Sequence, residues 1–202
     1  MNIYKTIEES YDKMGEAYHR FRDNEKFKGE LEKFASLLPI SGKVLDAGCG
    51  VGEPISKFLA KKGFKVIGVD ISRKMVELAK KNVPEARFFQ KNILTLDFSD
   101  QTFDGIICVY TLWHIPRVEH EGIIKNFHRM IKDDGILVLN TGIFESDGMS
   151  EFFGQPMLWS TNDPKKTLSY VKEVGFKIIF EGVLQLGGEK QYWIFAKKEQ
   201  KM

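Results

Sequence analysis

Val44-Leu45-Asp46-Ala47-Gly48-Cys49-Gly50-Val51-Gly52 is the stretch whose reading decides the fold. Val44 and Leu45 close a short apolar strand, Asp46 stands at its carboxyl end, and glycines follow at 48, 50 and 52. A helix from about Pro54 to Lys62 comes next. Strand, glycine turn and helix, in that order, build the nucleotide-sized crevice of α/β sheets. Glycine takes positive φ and has no Cβ to hold a ligand off the main chain. Two phosphate-binding versions of the pattern fit badly. A GxxxxGK[ST] loop needs a lysine after its last glycine, where Glu53 stands. The dinucleotide fingerprint wants its third glycine three residues after the second, yet Gly52 follows Gly50 by two. Glu53 beside Asp46 is expected to make the crevice mouth acidic, which repels a pyrophosphate and suits an ammonium or sulfonium group.

The alternation continues outward from this loop. Residues 65–69 read as a second apolar strand ending at Asp70, and Ser72 caps a helix through Lys81. Residues 86–89 form a third strand, and an irregular stretch runs over 92–102. Residues 103–109 form a fourth strand, nearly all apolar, as a central parallel strand buried on both faces should be. Pro116 opens a helix to about Ile131, and Asp133-Asp134-Gly135 turns into a fifth strand, 136–141. Asn162-Asp163-Pro164 starts another helix, with proline in its first turn, and Gly175 ends it. Residues 176–184 and 191–197 then read as two antiparallel strands joined around Gly187-Gly188. The fold class is therefore α/β, a Rossmann-like doubly wound sheet of seven strands, mostly parallel with an antiparallel last strand. Before the sheet, residues 2–36 read as helix. Ile3, Ile7, Met14 and Phe21 share one side, and Tyr4, Tyr11 and Tyr18 recur at seven-residue spacing on an adjoining stripe.

The bulk numbers exclude some function classes. At 202 residues the chain is long enough for a large core. A net charge of +2, from 30 basic and 28 acidic residues, lacks the basic bias of a nucleic-acid binder. Cys49 and Cys108 have no metal-ligand spacing, so no metal is expected. Two isolated cysteines, no apolar run of ~18 residues, and Glu8-Glu9 near the start point to a cytoplasmic protein off the membrane. The sequence specifies no oligomeric state.

With Val44 to Gly52, Asp70 and Phe103-Asp104-Gly105 leading into Ile-Ile-Cys-Val, the chain resembles the class I S-adenosylmethionine-dependent methyltransferases. The likeness runs from about Gly42 to Lys197 and includes the reversed terminal hairpin. Leu112-Trp113-His114-Ile115-Pro116-Arg117 and Gln155-Pro156-Met157-Leu158-Trp159-Ser160 are similar to a subgroup acting on small molecules. The resemblance implies S-adenosylmethionine as cofactor. Gly48, Cys49, Gly50 and Gly52 would pass under its methionine part, and Asp46 would hold its ammonium. Asp70, 20 residues beyond Gly50, would accept both ribose hydroxyls; a carboxylate has two oxygens to match a vicinal diol. Ile71 and Met75 would flank the adenine. Asn92 stands where the family often has Asp, and would meet the adenine amino group through its carbonyl, with Ile93 offering its backbone N–H. Val109 and Tyr110 would lie near the sulfonium. The implied domain map is a single methyltransferase domain over 1–202. Within it lie a helical lid (1–36), a cofactor-binding core (42–142), an acceptor-pocket segment (143–162), and the last helix with the terminal hairpin (163–198).

The expected reaction is methyl transfer to nitrogen or oxygen of a small-molecule acceptor. Methylation of RNA or protein, and a cofactor-binding protein without catalysis, are the alternatives. His114, just past the fourth strand, is either a general base or a hydrogen-bonded structural histidine. Tyr11 and Tyr18 follow as candidate catalytic groups. Trp113 and Trp159 are expected at the acceptor, stacked on a planar group or facing a cation. Trp193 belongs to the core. Cys49 is read as a small loop residue, because sulfonium methyl transfer needs no protein nucleophile. His120 and His128 are read as incidental to their helix, and His19 as a residue among exposed charges.

Overall fold

The computed structural model describes residues 2–21 and 26–200 and, within the first helix, all side chains but those at 19 and 21. The expected positions of Phe21 and His19, and residues 22–25 within the expected helix over 2–36, lie outside the described residues. The strands are β1 (Lys43–Ala47), β2 (Lys65–Asp70), β3 (Arg87–Gln90), β4 (Phe103–Cys108), β5 (Ile131–Thr141), β6 (Ser146–Phe152), β7 (Gln155–Thr161), β8 (Phe176–Leu186) and β9 (Glu189–Lys198). Seven of them form one sheet in the order β3-β2-β1-β4-β5-β9-β8, while β6 and β7 pair separately. β1 to β5 are parallel, and β9 runs antiparallel to both β5 and β8. The order turns back between β1 and β4, and open α/β sheets place their ligand crevice at such a point, beyond the carboxyl ends of the strands.

The helices are α1 (Ile3–Phe21), α2 (Lys28–Ser36), α3 (Ile55–Lys61), α4 (Arg73–Asn82), α5 (His120–Met130) and α6 (Pro164–Glu173). Successive strand residues point to opposite faces, so Leu45 and Ile106 pack with Phe127 of α5 on one side. Val44 and Ile107 pack with Phe34 of α2 and Leu59 of α3 on the other. All seven of these side chains are at most 1% exposed. Gly105 is explained by that second face, since a Cβ there would come within 2.8 Å of Phe34 and Leu38.

Three expectations need correction. The helix expected over 2–36 is two helices: Gly15 is non-helical inside α1 (φ 43°, ψ −121°), and α2 starts only at Lys28. Residues 117–119 form a 3-10 turn before α5, and β5 begins at Ile131, with an irregular register near Gly105. The segment 143–162 contains the β6–β7 hairpin, turned at Phe153-Gly154 with both residues at positive φ (51° and 70°), as tight two-residue hairpin turns require.

Candidate active site

The loop after β1 closes on itself and on β2. Gly48 and Cys49 donate their N–H groups to Val69 O at 2.8 and 2.9 Å, and Gly52 N–H donates to Cys49 O. Gly48 (φ 84°) is obligatory on two counts, because a Cβ there would also lie 1.9 Å from Oγ1 of Thr111. Thr111 donates in turn to Ala47 O at 3.0 Å, tying the turn after β4 to the end of β1. Thr111 was not singled out in the sequence, where nothing marks it from other polar turn residues.

An inner cavity of about 80 Å³ opens beside this loop. Its walls include Gly48, Gly50, Asp70, Ile71, Asn92, Ile93, Val109 and Tyr110, with Tyr4, Tyr11 and Tyr18 from α1 and His114 from the turn after β4. Asp70 is the only carboxylate among the described lining residues. Its Oδ2 accepts from Gly50 N–H and its Oδ1 from Ser72 N–H, both at 2.9 Å, which fixes the carboxylate against the loop. Ser72 caps α4 by accepting from Met75 N–H.

Other expected site residues lie behind the wall. Asp46 is 1% exposed and accepts from Ser56 Oγ at 2.7 Å. Glu53 is 7% exposed and ion-paired with Lys57, so the acidic mouth expected from Asp46 and Glu53 is not formed. Cys49 packs with Val76, Ala79, Val83 and Phe88 on the α4 side, and Gly52 faces Val83, Ala79 and Phe88 there. Met75 is fully buried with Val51 and Leu78. Asn92 lines the cavity, but its Oδ1 accepts from Leu94 N–H at 3.0 Å and so caps the short turn 93–95.

A second, outer cavity of about 740 Å³ adjoins the first. Trp113 and Trp159 line it together with Phe27, Phe144, Phe152 and Glu189. Four residues belong to both cavities, namely Tyr11, Tyr18, Tyr110 and His114. Tyr110 has positive φ (58°), and Asn140 Oδ1 accepts from its N–H at 2.8 Å. Its hydroxyl donates to Glu189 Oε2 at 2.7 Å, where Lys26 Nζ also donates at 2.7 Å. Burial works to raise the Glu189 pKa, but these donors outweigh it and hold the carboxyl below its ordinary value. Trp193 is 1% exposed in the core, as expected.

His114 sits where the cavities meet. Its Nδ1 lies 2.9 Å from Leu158 O. A carbonyl only accepts, so Nδ1 carries the hydrogen and Nε2 the lone pair. Burial lowers its pKa from 6.5 to about 4, against the opposing pull of the Leu158 carbonyl. The ring is therefore neutral at neutral pH. His120 proves more than incidental. It is fully buried, and its Nε2 lies 3.0 Å from Leu112 O and 2.9 Å from Ile115 O, the carbonyls on either side of Trp113-His114. Asn162 Nδ2 approaches its Nδ1 at 3.2 Å from the start of α6. The sequence placed His120 in a helix pattern but gave no sign that it reaches back five to eight residues. Among the described residues, no cluster of three or more His, Cys, Asp or Glu is placed to hold a metal ion, and no helix is long and apolar enough to cross a membrane.

The model of a methyltransferase domain matches residues 44–135, which span the glycine loop, Asp70 and β4. An uncharacterised methyltransferase of Oceanobacillus iheyensis is 26% identical over 155 residues, 77% of this chain and 63% of that protein. Both likenesses are to methyltransferases. The 1,6-didemethyltoxoflavin-N1-methyltransferase of Burkholderia thailandensis superposes with a TM-score of 0.77 at 18% identity, over 97% of this chain and 88% of that one. The magnesium protoporphyrin IX methyltransferase of Synechocystis, solved with S-adenosylmethionine bound, does so with 0.72 at 20% identity, over 98% of each. At these identities the two structures speak for the fold of this chain alone. It spans 63%, 50% and 43% of the lengths of three curated relatives.

Proposed function

We propose that this chain transfers a methyl group from S-adenosylmethionine to nitrogen or oxygen of a small molecule. The observation that carries the reading is the junction of two cavities, one holding the Asp70 carboxylate and the other ring-lined, at Tyr11, Tyr18, Tyr110 and His114. The inner cavity has the donor set that the cofactor asks for. Asp70 offers a carboxylate, pre-oriented by two backbone N–H groups, to a ribose diol. Ile71, Asn92 and Ile93 bound the adenine side, and Gly48 and Gly50 bound the amino-acid side without Cβ atoms. When bound, the cofactor supplies a methyl group already activated by its sulfonium.

The chain's own contribution is alignment, exclusion of water and removal of a proton. Alignment falls to the four shared residues, which hold the acceptor end-on to the inner cavity, the geometry that converts a bimolecular step into a unimolecular one. His114 presents its Nε2 lone pair to the acceptor, and for an N–H or O–H nucleophile that nitrogen takes the proton. Its neutral state keeps the lone pair available across the physiological range. Tyr11 and Tyr18 cover the junction from α1.

The α1 helix serves as a lid. An 80 Å³ space is far below the roughly 300 Å³ of the smallest ligand sites, so α1 must lift for the cofactor to pass. Ile7 and Met14 pack with Met157, and a few polar fastenings add to that apolar contact. Ser10 Oγ donates to Pro156 O at 2.7 Å, and Asp12 Oδ1 accepts from Ser72 Oγ at 2.5 Å and Lys74 N–H at 3.0 Å. Gly15, where α1 loses helical geometry, gives a pivot beyond them.

The small-molecule acceptor is supported by the size and aromatic lining of the outer cavity. The Burkholderia thailandensis structure, which holds 1,6-didemethyltoxoflavin and S-adenosylhomocysteine together, is consistent with it. Isothermal titration tests the cofactor assignment: S-adenosylhomocysteine binds the wild type, Asp70→Asn loses most of that affinity, and NAD does not compete. Equal binding by Asp70→Asn, or displacement by NAD, would overturn it.

A further inference from the structure

Five rings lining the outer cavity form a closed circuit. Tyr11 meets Tyr18 at 5.5 Å between centroids and His114 at 5.7 Å. His114 meets Trp159 at 4.9 Å, Trp159 meets Phe152 at 5.9 Å, and Phe152 returns to Tyr18 at 6.1 Å. Every contact is edge-on or tilted, with interplanar angles from 58° to 85°. Three separate elements supply them: α1, the turn after β4 and the β6–β7 hairpin. A packed core cluster would bury such rings fully. Here all but His114 stay half-buried, with faces and edges left to the cavity.

Among the described lining residues, the charges at the other end of the cavity are net positive, two ammonium groups to one carboxylate. Glu189 is the only carboxylate among the described lining residues, and its Oε2 already accepts from Lys26, Tyr110 and Gln191. Lys26 Nζ lies 4.9 Å over the Tyr110 ring, occupying a cation–π position itself. Lys190 lines the same end.

We infer that the acceptor is a flat, conjugated ring system carrying an ionisable N–H or O–H, uncharged or anionic, and is neither an aliphatic amine nor a quaternary ammonium. The inference rests on the methyltransferase reading and narrows its substrate. Ring edges and faces reward a flat guest with about two- to tenfold in affinity per contact beyond the area it buries, which a saturated guest of equal size forgoes. Rings also attract cations, but at the far end Lys26 already holds the Tyr110 face and Glu189 Oε2, and with Lys190 the net positive charge there opposes a cationic guest. The volume of about 740 Å³ suits a multi-ring molecule, within the roughly 300–1,000 Å³ that encloses drug-sized ligands. A simple amine would leave most of it unfilled.

The test is calorimetric titration of three probes into the protein, with and without S-adenosylhomocysteine: 7-hydroxycoumarin, decahydroquinoline and tetraethylammonium. The coumarin is expected to bind at least about tenfold more tightly than either other probe, the worth of one or two ring contacts. Trp159→Leu should weaken the coumarin about tenfold, while Trp159→Phe, which keeps a ring, restores most of it. S-adenosylhomocysteine should bind all three proteins alike, which shows that the variants are folded. The inference falls if either cationic probe matches the coumarin, or if Trp159→Leu leaves the coumarin unaffected. Should the coumarin discriminate while S-adenosylhomocysteine fails to bind, the cofactor assignment falls and the selectivity of the cavity stands.

Discussion

Acidification offers a direct probe of the His114 environment. In the folded chain burial holds this histidine at a pKa of about 4, against 6.5 for an exposed one. Between those values the unfolded chain takes up a proton that the folded chain refuses, so stability rises with pH through that window. The contribution is intact above pH 6.5 and is lost as pH falls towards 4. The full shift corresponds to about 3 kcal/mol, and lowering the pH from 7 to 5 already removes about 2 kcal/mol. His120, whose pKa burial also lowers, adds to the acid sensitivity in the same direction. A variant comparison separates the two. Gln at 114 keeps an N–H donor for Leu158 O but has no proton to gain. Urea unfolding of wild type and His114→Gln at pH 7 and pH 5 should therefore show a smaller acid loss in the variant, by about 2 kcal/mol. Equal losses within about 0.5 kcal/mol would refute the buried, neutral histidine.

Other outcomes follow from the same geometry. Replacing Asp70 with Asn should weaken S-adenosylhomocysteine about 30- to 100-fold by calorimetry, as loss of one or two charge-assisted hydrogen bonds would. Gly48→Ala should lower the melting temperature sharply, and Thr111→Ala in the same chain should recover part of the loss, because it removes the atom 1.9 Å from the new Cβ. His120→Leu should lower kcat while cofactor affinity holds, since the carbonyls of Leu112 and Ile115 lose the donor that shapes the turn bearing His114; an Asn or Gln variant that restores the donor should regain turnover. Asp12→Ala removes an acceptor that supports Ser72 and Lys74 N–H at the start of α4 and one lid fastening, at about 1 kcal/mol. It should speed amide exchange in α1 and raise the association rate of S-adenosylhomocysteine.

How much of this was legible in the sequence varies with the kind of signal. The strands hold short apolar runs at 44–45, 66–69 and 106–108, the first two ending at Asp46 and Asp70, and such runs have one comfortable place, a parallel sheet covered on both faces. The β6–β7 hairpin escaped for the opposite reason. Its first strand, Ser146–Phe152, is mostly polar and exposed, so it shows no alternation, and the Phe153-Gly154 turn lacks the usual Asn-Gly signal. Direction was the harder problem inside the glycine loop. Spacing located Gly48, Gly50 and Asp70 on the cavity, but whether Cys49 points to ligand or to α4 depends on the positive φ values around it. Contacts from afar were invisible. The Leu158 carbonyl that fixes the His114 tautomer stands 44 residues along the chain and becomes its neighbour only once the chain has folded.

The central claim is met most directly by incubating the protein with methyl-labelled S-adenosylmethionine and a fractionated lysate, with Asp70→Ala as the blank. Label should appear in the small-molecule fraction with wild type and be absent with the blank. Label confined to RNA or protein, or no label while S-adenosylhomocysteine still binds, would contradict it.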